Sequence, residues 1–263
     1  MSDILNKIVH RKREEVAERK KKMSETQLES TPHFHKPRFS LSRFLVERSG
    51  IIAEFKRKSP SKPMINLQAI SSEIVPKYEK AGASASSILT DIDFFGGSDE
   101  DLINVRPLVN IPILRKDFMI DPYQIIESKA LGADVILLIA EILSKSEVEE
   151  MAKLATGLGM EILLEVHTAD QLKKYHESIR NVGVNNRNLK TFVTDIRFSI
   201  DILPQIPNGV MKVSESGIDN TQTVIDLKKA GYEGFLIGEN FMKTNDPGAS
   251  CADFINTINQ VNV

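Results

Sequence analysis

The sequence predicts an α/β protein, a single (β/α)8 (TIM) barrel with an N-terminal helical extension. Eight short apolar segments alternate with longer polar stretches of helical periodicity, and successive segments begin roughly 20 to 35 residues apart. The length of 263 residues suits one barrel. We expect one domain, with residues 1–50 forming the extension and residues 51–263 the barrel. An open, doubly wound parallel sheet is the alternative.

The predicted strands are rich in Ile, Leu or Val, as strands buried on both faces are. They are Ile51–Lys58, Ala85–Thr90, Pro112–Asp117, Val135–Ala140, Glu161–Val166, Asn181–Asn186, Met211–Ser216 and Gly234–Glu239. The intervening segments 146–160 and 221–234 have apolar residues at helical spacing and a Gly near the end. Each of these segments is therefore predicted to be a crossover helix.

The N-terminal segment predicts a helix packed on the barrel. Ile4, Leu5, Ile8 and Val9 share one helical face, and acidic residues are interleaved with the bases of the stretch 10–22. With 34 basic and 36 acidic residues the formal net charge is −2, which argues against a dedicated nucleic-acid binder. A non-catalytic protein whose basic arm engages nucleic acid remains one alternative.

Cysteine content and hydropathy favour a cytoplasmic enzyme. The single Cys251 cannot form an intramolecular disulfide, and no Cys/His pair has zinc-finger spacing. The N-terminus lacks an apolar stretch of signal-peptide length, and the longest purely apolar run, 135–140, is too short to span a membrane. No GxxxxGK[ST], HExxH or GxSxG motif is present. The chemistry must therefore come from other residues.

Charged residues lie at the ends of several predicted strands, where barrel enzymes place their catalytic groups. Period-two alternation places Glu54, Lys56 and Lys58 on one face of the first strand, and we expect that face to point inward at the mouth. In the third and fifth strands an apolar run ends in ionisable residues, among them Lys116 and Glu165. A Lys and a Glu that converge can serve as proton donor and acceptor. A structural ion pair at the barrel rim is the alternative.

Polar groups also follow the last three strands. Asn185 and Arg187 come at the end of the sixth strand, where they could fix a hydroxyl and a carboxylate. The seventh strand runs into Ser216 and Gly217 and the eighth into Gly238, and the loops after these two strands commonly bind phosphate in such barrels. Ordinary turn residues are the alternative interpretation of these sites.

Together these motifs resemble the indole-3-glycerol phosphate synthase family over nearly the whole chain. The matching segments are IIAEFKRKSPSK (51–62), FFGGSDEDL (94–102), PILRKDF (112–118), LGADVILLI (131–139), ILLEV (162–166), GVNNRNL (183–189), VSESGI (213–218) and FLIGENFM (235–242). The resemblance implies closure and decarboxylation of 1-(o-carboxyphenylamino)-1-deoxyribulose 5-phosphate to indole-3-glycerol phosphate in tryptophan biosynthesis. It implies no cofactor and no metal.

The resemblance also implies roles for residues. Lys116 is expected to be the general acid that protonates the substrate ketone, and Lys56 to contact the substrate carboxylate or phosphate and serve as an acid for dehydration. Glu165 and Glu54 are expected to be the carboxylates of the proton transfers. The residues expected to bind the substrate are Asn185, Arg187, Glu215, Phe95 and Ser59, and those expected to bind its phosphate are Ser216, Gly217, Gly238 and Glu239.

Two departures from the family pattern bear on these expectations. Pro63 stands where the SPSK motif usually continues into Gly, so loop motion after the first strand is expected to differ. The segment before the sixth strand is shortened by about one residue. We expect a monomer or weak homo-oligomer that acts on a phosphorylated small molecule, with no nucleic-acid or membrane partner. The alternative enzyme is a phosphoribosylanthranilate isomerase, which needs an Asp/Cys pair.

Overall fold

The structure is a computed structural model that describes residues 3–189 and 191–260. The ends of the predicted domain, residues 1–2 and 261–263, lie outside the described residues. Eight parallel strands form a closed barrel in sequence order, because β8 pairs with both β7 and β1. The strands are β1 (Ile51–Phe55), β2 (Ala85–Leu89), β3 (Ile113–Lys116), β4 (Val135–Ile139), β5 (Glu161–Val166), β6 (Asn181–Asn185), β7 (Met211–Glu215) and β8 (Gly234–Ile237).

Helices connect and surround the strands, so the predicted (β/α)8 barrel is confirmed. The helices are α1 (Asp3–Lys22), α2 (Glu25–Glu29), α3 (Leu41–Glu47), α4 (Ser71–Lys80), α5 (Ile92–Phe95), α6 (Asp99–Val105), α7 (Pro122–Leu131), α8 (Lys145–Gly157), α9 (Arg197–Ile202), α10 (Thr221–Ala230), α11 (Glu239–Met242) and α12 (Pro247–Asn259). The predicted helices at 146–160 and 221–234 correspond to α8 and α10. Nothing in the described part of the chain forms a helix long and apolar enough to cross a membrane.

The crossover between β5 and β6 differs from the sequence prediction. Only one turn-like 3-10 helix, Ala169–Lys174, occupies this connection instead of an α-helix. The connection ends in a loop in which His176 caps a turn by accepting a hydrogen bond from the Ser178 N–H. The segment that appeared shortened is therefore one in which the outer α-helix is missing.

Two layers of apolar side chains stabilise the barrel. One fills the space between strands and outer helices, and the other fills the barrel interior. The interior layer includes Ile52, Leu114 and Leu163 from the strands, and Leu45 of α3, which packs against the start of β8. Burial of such side chains is worth about 1.5–3 kcal/mol each. Helix α3 therefore closes the amino-terminal end of the barrel.

Helix α1 packs on the barrel, as its apolar stripe predicted, and it lies at the opposite end from α3. Leu5 and Ile8 join the interior cluster, and Val9 is also buried. Lys12 on the same helix is 1% exposed and reaches Asp91 and Asp117, which follow β2 and β3. Arg11, Arg19 and Lys20 of the same basic segment also pair with carboxylates of the barrel.

Candidate active site

The carboxyl ends of the strands surround one pocket, which contains nearly every predicted site residue. Its lining includes residues from all eight strands or the loops that follow them, and three side chains of α1. The predicted residues in the lining are Glu54, Lys56, Ser59, Phe95, Lys116, Glu165, Asn185, Arg187, Glu215, Ser216 and Glu239. Gly217 and Gly238 adjoin Ser216 and Glu239 in the chain.

Lys116 is held between two buried carboxylates. Its Nζ lies 3.0 Å from Glu165 Oε2 and also donates to Glu215 Oε2. Burial alone lowers the pKa of Lys116, but the charges of Glu165 and Glu215 outweigh it and raise the pKa well above its ordinary value. Lys116 is therefore an ammonium ion at neutral pH, aimed into the pocket.

The pKa values of Glu165 and Glu215 are shifted in opposite directions. Burial raises the pKa of Glu165, but Lys116 and His167 outweigh this effect and lower it well below its usual range. Burial raises the pKa of Glu215 to about 7 even with Lys116 alongside, and the charge of Glu165 adds to the rise. Environments that push the pKa values of two neighbouring groups apart are typical of acid and base pairs.

Gly183 makes room for Glu215, a relation that the sequence motif did not reveal. A Cβ on Gly183 would lie 2.2 Å from Glu215 Oε1. That oxygen is buried and has no hydrogen-bond partner within the described protein. The Gly of the GVNN motif therefore allows the carboxylate of the next strand to lie flat against β6.

A second Lys and Glu pair lies on β1. Lys56 Nζ donates to Glu54 Oε1 at 2.7 Å, and Ser87 Oγ lies 3.5 Å from Glu54 Oε2. A Cβ on Gly238 would lie 2.5 Å from Glu54 Oε1, so Gly at this position lets the carboxylate approach β8. Glu54 and Lys56 therefore converge on the pocket, as predicted.

The inward position predicted for Lys58 is wrong. The strand ends at Phe55, three residues earlier than expected, so alternation no longer applies beyond Lys56. The Nζ of Lys58 donates instead to the carbonyl of Asp93, at the start of α5. Arg57, between the two lysines, pairs with Asp101 on α6. These contacts fix the start of the loop after β1 to the adjacent loop.

The side of the pocket predicted to bind phosphate combines several loops. Ser216 has a positive φ of 67°, a conformation that side-chain-bearing residues adopt rarely. The Nδ2 of Asn186 donates to the carbonyls of Glu215 and Ser216, at 3.0 and 3.1 Å. Lys62 pairs with Glu239 across the pocket edge. Ser59 and Lys62 form a tight turn with reciprocal backbone hydrogen bonds around Pro60.

The loop after β6 brings amide and guanidinium groups to the pocket. Asn185 Oδ1 accepts the backbone N–H of Arg187, which orders the turn. Arg187 Nη1 donates to Ser61 Oγ at 2.6 Å, while its Nε is buried without a partner among the described residues. A buried donor of this kind is available to an anionic ligand.

One wall of the pocket is apolar. Phe95 and Phe118 pack with ring centroids 5.9 Å apart. Leu5 and Ile8 of α1 line the same pocket, a role that their sequence pattern does not indicate. The helical stripe predicted packing but could not indicate which end of the barrel it covers. This apolar wall and Lys116 line the same pocket.

The comparisons with known proteins identify the family. The family model for indole-3-glycerol phosphate synthase matches residues 5–254. The chain is 48% identical over 259 residues to the indole-3-glycerol phosphate synthase of Bacteroides thetaiotaomicron, with 98% of this chain and 100% of the relative covered. It is 43% identical over 259 residues to that of Carboxydothermus hydrogenoformans, with 93% and 96% covered.

The chain belongs to the indole-3-glycerol phosphate synthase family. It is accordingly a carboxy-lyase of tryptophan biosynthesis that acts on a phosphorylated small molecule. Among solved structures, a mutant tryptophan synthase α-subunit from Pyrococcus furiosus matches with a TM-score of 0.61 and 14% identity, covering 81% of this chain and 99% of that chain. At that identity the likeness shows the barrel fold alone. Within the described ranges, no group of three His, Cys, Asp or Glu side chains could hold a metal.

Proposed function

We propose that Lys116, Glu165, Lys56 and Glu54 carry the proton transfers that convert 1-(o-carboxyphenylamino)-1-deoxyribulose 5-phosphate to indole-3-glycerol phosphate. The observation that supports this proposal best is the ammonium group of Lys116, held between Glu165 and Glu215 at the mouth of the barrel. The pair formed by Glu54 and Lys56 supplies a second donor and acceptor in the same pocket.

In the first step, the ring carbon that bears the carboxylate attacks the ketone carbon. A carbon–carbon bond forms, and the electron pair of the carbonyl π bond moves to oxygen. Lys116 stabilises this developing alkoxide and transfers a proton to it. A strongly basic alkoxide can take this proton even though the carboxylates raise the pKa of Lys116. Carbon dioxide then leaves, and its bonding electrons restore the aromatic ring.

In the dehydration that follows, the new hydroxyl group leaves as water. Lys56 protonates the departing oxygen, while a carboxylate removes a proton from the adjacent ring carbon to form the double bond. We assign that base to Glu165, because its Oε2 lies 3.0 Å from Lys116 and can return the proton to it. Glu54, 2.7 Å from Lys56, assists the second acid. The net reaction consumes one proton, which Lys56 can regain from solvent.

The remaining pocket residues bind and orient the substrate in this proposal. The apolar wall at Phe95 packs on the aromatic ring, and Asn185 with Arg187 orients the carboxylate and the hydroxyls. Glu215 shapes the pocket around Lys116. The phosphate is bound by the loops after β7 and β8, through Ser216, Gly217, Gly238 and the backbone of Glu239, with Ser59 beside them.

We also propose that the barrel and its extension act as one domain, in the cytoplasm, as a monomer or weak homo-oligomer. The apolar stripe of α1 is covered by the barrel of the same chain, which supports a site complete within one chain. Cys251 is buried in α12 and is not a lining residue of the pocket, so the isomerase alternative lacks its cysteine acid.

A fluorescence assay of indole formation tests the proposed roles directly. The chain contains no Trp, so the product signal is unobscured. We expect turnover that survives a chelator, and a loss of about 10²- to 10⁴-fold in kcat for Lys116→Ala and for Glu165→Gln. Lys153→Ala, an exposed lysine on α8, is the matched control and should keep the full rate. A rate near that of the unsubstituted enzyme for either site variant would refute the role assigned to that residue.

A further inference from the structure

His167 contacts Glu165, the carboxylate proposed above as the base. It follows the last residue of β5 and is two positions from Glu165, so both side chains point to the same side of the strand. Its side chain is 6% exposed, and it is not a lining residue of the pocket. Its backbone N–H donates to Gln171 Oε1 at 2.7 Å, which fixes the main chain.

Both ring nitrogens of His167 face acceptor atoms. Nε2 lies 2.8 Å from Glu165 Oε1, and Nδ1 lies 3.1 Å from the carbonyl oxygen of Arg187. A carbonyl oxygen cannot donate, and an ionised carboxylate cannot donate either. Either neutral tautomer would set a ring lone pair against one of these oxygens. Only the imidazolium form donates to both.

The charges around His167 favour that form. Glu165 on β5 is the main negative neighbour, Glu215 on β7 contributes less, and Lys116 on β3 is the positive group opposite. On the side of β4, the Nε2 of Gln171 donates to Glu141. The Nζ of Lys174 donates to the carbonyls of Ala140 and Leu143. Burial by itself lowers the pKa of His167, but the contacts with Glu165 outweigh it and raise the pKa above its ordinary value.

We propose that His167 is a positioning residue whose imidazolium holds Glu165 ionised and orients its second oxygen toward Lys116. Each oxygen of Glu165 then has its own cation, because Oε1 accepts from His167 and Oε2 from Lys116. The bond from Nδ1 to the carbonyl of Arg187 also ties β5 to the substrate-binding loop after β6. This inference rests on the role proposed above for Glu165.

The proposal gives a definite direction of pH dependence. As the pH rises through the raised pKa of His167, the ring loses its positive charge and one of its two donated hydrogen bonds. Glu165 is then held less firmly in its orientation, so kcat falls on the alkaline side. A Gln at this position offers a donor that does not titrate, and it removes that alkaline decline.

The charge state of His167 is measured first, because it needs no turnover. We propose nitrogen NMR of histidine-labelled protein, with the signal of His167 identified by its absence in His167→Gln. We expect both ring nitrogens to carry protons at pH 7, with a titration midpoint above 6.5 that falls in Glu165→Gln. A neutral ring at pH 7, or a midpoint unmoved by Glu165→Gln, would overturn the proposal.

Kinetics then test whether the contact matters for catalysis. We expect His167→Leu to lower kcat by about 10- to 100-fold, the size of effect known for losing a hydrogen-bonding group that orients a metal ligand, with little change in KM. His167→Gln should recover part of kcat and lose the alkaline decline. His176→Gln, on the loop before β6, is the matched control and should keep the unsubstituted profile. Full kcat in His167→Leu, or an alkaline decline that persists in His167→Gln, would contradict the proposal.

The two kinds of failure can be told apart. If Glu165→Gln retains the full rate, the role of Glu165 is wrong, whatever the charge of His167. If Glu165→Gln is inactive but both His167 variants behave like the unsubstituted enzyme, the base assignment stands and the positioning role of His167 is wrong.

Discussion

Ser216 combines a strained backbone with a position at the predicted phosphate site. Its φ of 67° costs about 1 kcal/mol or more for a residue with a side chain. Asn186 stabilises this conformation by donating to the carbonyls of Glu215 and Ser216. Strain kept in place by buried hydrogen bonds is common where a backbone must meet a ligand.

Replacing Ser216 should weaken binding and spare the chemical step. The phosphate contact is present in the ground state and the transition state alike, so its loss raises KM and leaves kcat unchanged. A hydrogen bond to a charged group is worth about 1.5–3 kcal/mol, so we expect Ser216→Ala to raise KM about 10- to 100-fold. Ser216→Gly separates the hydroxyl from the backbone, since glycine tolerates the positive φ. A loss confined to kcat would refute the assignment.

At the scale of single residues, the sequence was most informative where a charged side chain directly ends an apolar strand. Lys116 and Glu165 do so, and the structure brings them together. The inward position predicted for Lys58 is wrong because β1 ends at Phe55, and the period-two alternation does not continue to Lys58. His167 could have been found by the same alternation, starting from Glu165. The contact of His167 with the carbonyl of Arg187, on the loop after β6, could not be predicted, because it depends on how two loops pack.

At the scale of elements, α1 is attached to the barrel by a buried charge. The Nζ of Lys12 lies 2.9 Å from Asp117 Oδ1, 3.1 Å from Asp91 Oδ2 and 2.8 Å from Glu15 Oε2. Asp91 also caps α5, the short helix that carries Phe95. A single lysine of the extension is thus linked to two loops that shape the pocket.

Removal of this charge should destabilise the protein strongly. Lys12→Met leaves two buried carboxylates without their shared cation, and breaking a buried pair costs about 3–5 kcal/mol. We expect a fall of that size in the free energy of unfolding, measured by urea denaturation. Lys20→Met is the control on the same helix, because the pair of Lys20 with Asp121 is exposed and worth about 1 kcal/mol or less. Equal effects of the two substitutions would show that Lys12 does not anchor the helix.

At the scale of the whole molecule, the order of elements could be predicted because each strand is a short, continuous apolar segment. The barrel then follows from eight such segments joined by right-handed crossovers. The connection between β5 and β6 shows the limit of this reasoning, since a 3-10 helix replaces the expected α-helix. The composition of a connecting segment does not predict how much of the barrel surface that segment must cover. That quantity depends on the neighbouring helices.

The buried charge network should also make the folded state sensitive to acid. Burial raises the pKa of Asp117, but Lys12 and Arg115 outweigh that effect, and the pKa is lowered to about 2. Because the folded value lies below the ordinary value of about 3.9, Asp117 contributes stability that is fully present above pH 4 and is lost as the pH falls toward 2.

That contribution is about 2 kcal/mol, from a difference of nearly two pKa units. Urea denaturation at a series of pH values from 5 down to 2 gives the free energy of unfolding at each pH. The slope of this free energy against pH measures the contribution of Asp117. We expect Asp117→Asn to lower the stability at neutral pH, since it leaves Lys12 and Arg115 less well paired, and also to reduce the slope below pH 4. Asp226→Asn, an exposed carboxylate on α10, should leave the slope unchanged. An undiminished slope in Asp117→Asn would mean that other buried carboxylates, Glu165 first among them, carry the acid sensitivity, since its pKa is also lowered in the folded state.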